Sequence, residues 1–143
     1  MGTVVSLNIS AKKGVNKEPV EQVTLSVGHG IEGDAHAGPW HRQVSLLAEE
    51  AIEFMRRKGL ELEPGAFAEN ITTSGIDLAS LPVGTRLRSG SVELEVTQIG
   101  KKCHKGCAIF QQVGDCIMPR EGIFARVISG GILRRGDRLE PVS

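Results

Sequence analysis

The chain has 143 residues, enough for one domain with its own core, since a chain of that size buries about 68 % of the surface its unfolded form exposes. Lys and Arg number 17, and so do Asp and Glu; there is none of the basic excess of a nucleic-acid binder, and an aromatic content of 3 %, with one Trp and no Tyr, argues against a stacking platform for single-stranded nucleic acid. No run of about 18 apolar residues occurs, and the opening MGTVVSLNISAKKG has no basic region followed by a long apolar stretch, so the sequence predicts no membrane span, no signal peptide and a cytoplasmic location.

Glycines recur between short apolar runs, the pattern of an all-β barrel or sandwich. Residues 3–9 read as an opening strand, and 22–27 as another with Val23, Leu25 and Val27 on one face. The segment GHGIEGDAHAGPWHRQVSLL follows, from 28 to 47. Its glycines Gly28, Gly30, Gly33 and Gly38 would let backbone N–H groups approach an anion. Arg42 has the fork for a phosphate, with Asp34, His36 and His41 nearby. The same residues suit a structural loop in which Asp34 and His36 bond their own backbone. Neither GxxxxGK[ST] nor a strand-to-helix GxGxxG is present.

A helix is predicted over 46–58. Ser45 would be its N-cap, Glu49 and Glu50 lie early, and Arg56, Arg57 and Lys58 lie in the last turn. Ala48, Ala51, Ile52 and Met55 would make its buried stripe, and Gly59 its stop. Within GAFAENITTSGIDL (65–78), Glu69 precedes the β-like run Asn70-Ile71-Thr72 and reads either as a buried acceptor or as a ligand-orienting carboxylate. Residues 82–87 and 135–139 are similar turn-to-strand phrases. The clearest strand is 91–99, where Val92, Leu94 and Val96 alternate with Glu93, Glu95 and Thr97. Residues 123–128 fit helix or strand equally, and a short helix is expected over 106–113.

The three cysteines all fall in GKKCHKGCAIFQQVGDCIMP, from 100 to 119. In a reducing compartment such thiols are reactive, metal-binding or buried rather than disulfide-bonded. Cys103 follows the best strand, and Lys101, Lys102 and Lys105 surround it in sequence. Adjacent cations favour thiolate over thiol, the form that attacks sulfur or binds a soft metal. Cys107 and Cys116 read equally well as small core residues. Cys103, His104, Cys107 and Cys116 could also make a tetrahedral zinc site, although neighbours such as Cys103 and His104 seldom face one metal.

In this order, GIEGDAHAG with HRQVSLL, PGAFAENITTSGIDL with LPVGTRLRSG, and LEVTQIG running into KKCHKGC resemble the MOSC family, named for the C-terminal domain of molybdenum cofactor sulfurases. The ending, EGIFARVISGG with GDRLEP, is similar to small stand-alone members, and the likeness runs from Val4 to Leu139. The resemblance implies a mostly β, strongly coiled barrel-like fold with a few helices, as a single domain over 1–143. It implies binding of the molybdenum cofactor, or carriage of sulfur to metal–sulfur centres. Cys103 matches the family's strand-end cysteine, which would carry a persulfide or ligate molybdenum. Asp34, His36, Arg42, Glu69 and Asn70 fall on family motif positions and would frame the pocket; from charge, Lys101 and Lys102 would meet the cofactor's phosphate.

The sequence departs from larger members in having Lys102 rather than proline before the cysteine. With no pyridoxal-phosphate desulfurase domain, the chain is expected to bind no pyridoxal phosphate and to take sulfur from a separate cysteine desulfurase, delivering it to a molybdoenzyme. A molybdenum-dependent reductase component with Cys103 as metal ligand, and a zinc-stabilised binding module, are the alternatives. Whether the protein is an enzyme, and whether it forms a homo-oligomer, stay open on sequence.

Overall fold

Alternating apolar residues set the framework in the computed structural model, which describes residues 2–10, 18–35, 37–40, 43–57, 69–99 and 122–142. The strands are β1 (Gly2–Ile9), β2 (Glu18–Val20), β3 (Gln22–Ser26), β4 (Gly30–Ile31), β5 (Val44–Ala48), β6 (Ile71–Ser74), β7 (Arg86–Ser89), β8 (Val92–Ile99), β9 (Ile123–Ser129), β10 (Gly131–Arg134) and β11 (Arg138–Val142). One helix, α1 (Glu49–Arg56), follows β5, and a 3-10 turn spans Leu78–Ser80.

The order β11-β7-β8-β9-β5-β6-β1 closes on itself where β1 pairs β11. Closure leaves a seven-stranded barrel among the described residues, the mostly β, barrel-like architecture expected. Closing a sheet removes its edges, which otherwise expose unpaired N–H and C=O groups. The seam is tight: Val4 N–H donates to the Asp137 carbonyl at 2.8 Å, and Gly136 N–H to the Val4 carbonyl at 2.8 Å. The two turn-to-strand phrases end in β7 and β11, which pair antiparallel with Leu87 opposite Pro141.

Leu7, Leu46, Ile71, Leu87, Leu94 and Ile123 point into the barrel and are fully buried. Each contributes roughly 1.5–3 kcal/mol relative to exposure. A smaller sheet, β10-β3-β4, adds Val23, Leu25, Ile31 and Leu133 to the same core. Gly130 sits where the chain passes from β9 into β10, and a Cβ there would lie 2.6 Å from the Leu25 carbonyl oxygen. Only glycine permits that approach of the two sheets.

Residues 123–128 are strand, within β9. The segment expected to open the helix is also strand. Ser45 lies inside β5 and caps nothing, and α1 begins only at Glu49. The reason is tertiary: β5, central between β9 and β6, is buried at four consecutive positions and so on both faces, which erases the alternation of a half-buried strand and resembles an apolar helix stripe. The β5–β6 pair is parallel and therefore needs a crossover connection, in which α1 lies. Glu49 and Glu50 do occupy the first helical turn, and the Glu50 carboxylate accepts from Gly75 N–H at 2.9 Å, tying α1 to the end of β6. Ile52 is buried as expected. The proposed stop at Gly59 and the helix over 106–113 lie outside the described residues. Among the described residues no helix is long and apolar enough to cross a membrane.

Candidate functional site

Two polar features stand out against this core. The first is a buried hydrogen-bond node joining β1, β5 and β6. The Asn70 side chain accepts from Ser45 N–H at 3.0 Å and from Ser45 Oγ at 3.2 Å, and donates through Nδ2 to the Asn8 carbonyl at 3.1 Å. Backbone bonds run beside it: Asn8 N–H to the Asn70 carbonyl at 2.7 Å, and Asn70 N–H to the Ser45 carbonyl at 3.0 Å. A directed chain continues from the node. Ser6 Oγ donates to Asn8 Oδ1, Asn8 Nδ2 to Thr72 Oγ1, and Thr72 Oγ1 to the Glu69 carboxylate, at 2.9, 3.3 and 3.0 Å. Glu69, Asn70 and Asn8 have no exposed surface. A carboxylate taken out of water needs such donors, because desolvation of an unpaired charge is costly.

Asp34 belongs to the loop after β4. Its carboxylate accepts from Ser10 N–H at 3.1 Å, while Ala35 N–H donates to the Ser10 carbonyl at 2.7 Å. Asp34 thereby pins the glycine-rich loop to the end of β1, and it is buried there. Gly30 has φ +120°, and a Cβ on it would meet the Gln43 carbonyl oxygen at 2.7 Å, so the loop lies directly on the start of β5.

The second feature is an open cleft of about 670 Å³ beside β8 and β9. Val27, Trp40 and Val83 line it and are 65 %, 38 % and 61 % exposed, an unusual grouping of large apolar side chains in contact with solvent. Glu95, Thr97 and Arg126 add polar groups to the lining. Glu95 lies directly opposite Arg126 across the β8–β9 pair, and the two form an ion pair at 2.7 Å. Gln43 shapes another part of the wall. Its buried side chain accepts from Val127 N–H at 2.9 Å, extending the β5–β9 contact beyond its last backbone register pair at Val44. Among the described residues, no group of three or more His, Cys, Asp and Glu is placed to hold a metal ion.

Of the residues expected to frame a site, Asp34, Glu69 and Asn70 are described, and they are not among those lining the cleft. Asn70 and Glu69 share the buried node; Asp34 is tied separately to Ser10. His36, Arg42, Lys101, Lys102, Cys103, His104, Cys107 and Cys116 lie outside the described residues. Their sequence positions still relate to the cleft: Arg42 falls between the lining residues Trp40 and Gln43, and Cys103 follows six positions after the lining residue Thr97. From sequence, Trp40 beside Pro39 reads either as lining a pocket or as shielding it, and Val27, Gln43, Val83, Glu95 and Arg126 carry no site signal there. Glu95 reads as the polar face of a half-buried strand and Arg126 falls in a segment that fits helix or strand equally, and only the β8–β9 register reveals them as partners.

Comparison with known proteins agrees with this architecture. A model of the MOSC domain matches residues 32–140. The YuaD protein of Bacillus subtilis superposes with a TM-score of 0.78 at 22 % identity, over 97 % of this chain and 94 % of that one. YiiM of Geobacillus stearothermophilus gives 0.76 at 23 % identity over 100 % and 76 %. YiiM of Escherichia coli gives 0.68 at 25 % over 100 % and 70 %. These likenesses concern the fold. No functionally curated protein matches the sequence.

Proposed function

We propose, for a chain that belongs to the MOSC domain family, that it carries sulfane sulfur on Cys103 and hands it to a molybdenum cofactor or related metal–sulfur centre received at the cleft. The observation that carries this reading is the course of β8. The strand contributes Glu95, Val96 and Thr97 to the cleft and runs on to Ile99, four positions before the family's cysteine.

The described lining suits the organic part of such a cofactor. Pockets for small ligands are mostly apolar with a few fixed polar groups and occupy roughly 300–1,000 Å³. Trp40, Val27 and Val83 offer apolar surface, and Arg126 offers a cation. Arg42, Lys101 and Lys102 would add positive charge for a phosphate, and Cys103 would supply the soft ligand that the described residues do not. When bound, the cofactor supplies the metal centre that accepts sulfur.

Loading uses only this chain and a donor persulfide. Cys103 thiolate attacks the outer sulfur of a cysteine desulfurase's persulfide. A new S–S bond forms at Cys103, the donor's S–S bond breaks, and the donor cysteine leaves as thiolate, so no net oxidation occurs. The lysines around Cys103 in sequence favour the attacking thiolate. Glu69, Asn70 and Asp34 hold the barrel and loop that border the site. The acceptor would be a molybdoenzyme, and the compartment the cytoplasm.

The test is anaerobic purification from a host that makes molybdenum cofactor, after incubation with a desulfurase and cysteine. Intact mass should rise by one sulfur on wild type and not on Cys103→Ser. Molybdenum near one per chain, lost in the variant and with no added sulfur, would replace the carrier by a reductase component using Cys103 as metal ligand. Stoichiometric zinc with neither would favour a structural site at Cys103, His104, Cys107 and Cys116.

A further inference from the structure

The cleft contains a charged pair whose geometry serves no evident purpose in holding the barrel. Glu95 and Arg126 already belong to strands joined by a backbone ladder running from Glu93 to Ile99. Arg126 Nε and Nη2 both contact the same oxygen, Glu95 Oε1, each at 2.7 Å. Among the described residues the guanidinium makes no other hydrogen bond or ion pair, and the side chain is 53 % exposed. An exposed pair of this kind adds little stability. A guanidinium keeps its charge at any working pH and presents up to five donors in a plane, a geometry matched to phosphate and carboxylate.

The same cleft holds Trp40, with its indole partly in solvent, beside Val27 and Val83. An aromatic face and an arginine lining one concavity recognise a flat ring system that carries an anionic group. We propose that Arg126 is the anion-binding residue of the cleft, gripping the phosphate or carboxylate of a planar heteroaromatic ligand received by Trp40, with Glu95 as the counter-ion displaced when the anion arrives. This rests on reading the cleft as the ligand site, but not on sulfur chemistry at Cys103. Glu95 has a selective role as well as a holding one: a neutral ring gains nothing from breaking the pair, and an anionic ring regains a charge-assisted bond.

Trp40 is the chain's only tryptophan and there is no tyrosine, so intrinsic fluorescence reports directly from the cleft wall. The probes are pterin-6-carboxylate against unsubstituted pterin, and guanosine monophosphate against guanosine, titrated into the full chain at low and high salt. The anionic member of each pair should quench Trp40 at concentrations about tenfold or more below its neutral partner, the scale of a bond to a charged group, and salt should narrow the gap. Arg126→Gln should erase the discrimination while leaving neutral-ring binding and the melting temperature in place. Glu95→Gln should strengthen anion binding, because the competing carboxylate is gone. Equal quenching by charged and neutral rings in the wild type, or full discrimination in Arg126→Gln, would overturn the assignment. Persulfide formation at Cys103 is read separately by mass. A wild type that loads sulfur normally but does not discriminate charged from neutral rings refutes only the arginine assignment, and discrimination without sulfur loading refutes only the carrier.

Discussion

Replacing Asn70 with alanine separates a framework role from a ligand-binding one. The side chain makes three hydrogen bonds, two received from Ser45 and one given to the Asn8 carbonyl, and all are buried. Alanine fills none of that space with polar atoms, so the Ser45 and Asn8 groups lose partners where water does not reach. Each lost bond costs about 1 kcal/mol, and each buried group left unpaired about 1–3 kcal/mol. Allowing for non-additivity, the loss is about 3–5 kcal/mol, against a total stability of about 5–15 kcal/mol for a domain. For a chain of this length that is a fall of roughly 10–15 °C in melting temperature.

Urea melts followed by Trp40 fluorescence and by circular dichroism should show a lower midpoint with an unchanged slope. Below the transition, Asn70→Ala should keep its ring-ligand affinity. Asn70→Asp adds a sign check. Its carboxyl would be buried with one oxygen facing the Asn8 carbonyl, so burial raises its folded pKa above the unfolded value of about 3.9. The protonated acid can donate to Asn8, so this variant should be most stable in acid and lose stability as pH rises through the raised value. A melting temperature for Asn70→Ala within about 3 °C of wild type, accompanied by weaker ligand binding, would refute the framework reading and return Asn70 to the pocket.

Other substitutions probe separate parts of the molecule. Gly30→Ala forces a side chain into φ +120° and to 2.7 Å from the Gln43 carbonyl oxygen; a loss of about 2–4 kcal/mol is expected by chemical denaturation. Gln43→Ala removes the acceptor for buried Val127 N–H, and should cost about 1–3 kcal/mol and shift the Trp40 emission. Hydrogen bonding from Arg86, reinforced by Arg88, holds the Glu93 carboxyl below its ordinary value of 4.5 despite opposing desolvation. Its contribution is therefore complete above pH 4.5 and is lost as pH falls through the lower folded value. Glu93→Gln should flatten the acid limb of the stability profile and change little near neutrality, whereas an unaltered acid limb would show that the arginine pair does not couple to folding.

Much of the barrel was legible because half-buried strands advertise themselves with a period of two. The phrase Val92-Glu93-Leu94-Glu95-Val96 gave β8 its boundaries and its two faces. Burial on both faces erases that signal, and β5 was misread as the onset of a helix for this reason. The site was less legible. Trp40 was visible as an isolated aromatic, but its grouping with Val27 and Val83 joins segments far apart in sequence, and only the fold brings them to one cleft. Arg126 lies in a segment that fits helix or strand equally, and only its register opposite Glu95 gives it a partner. Glu69 and Asn70 were recognisable as unusual, since a carboxylate and an amide precede an apolar strand. Their direction of bonding, inward to Asn8, Thr72 and Ser45, depends on β1 and β5 lying on either side of β6.

The same short segment joins the framework to the cleft. In Gln43-Val44-Ser45-Leu46, Val44 and Leu46 face the core while Gln43 and Ser45 alternate with them. Both polar side chains are buried and each is bonded across to a neighbouring strand: Ser45 to Asn70 at the head of β6, and Gln43 to Val127 in β9. Val127 and Arg126 are consecutive cleft residues. The position of the Arg126 guanidinium therefore depends on a backbone that Gln43 holds, and Gln43 sits two residues from the Asn70 node. A strand clamped on both flanks by buried polar bonds has one permitted register, because a slip of one residue would send Gln43 and Ser45 into the apolar core. That cost fixes the cleft wall more firmly than apolar packing alone, which tolerates small slides. It also accounts for the two buried polar residues at the start of β5: they set where β9 lies relative to β5, and with it the charged pair that the cleft presents to a ligand.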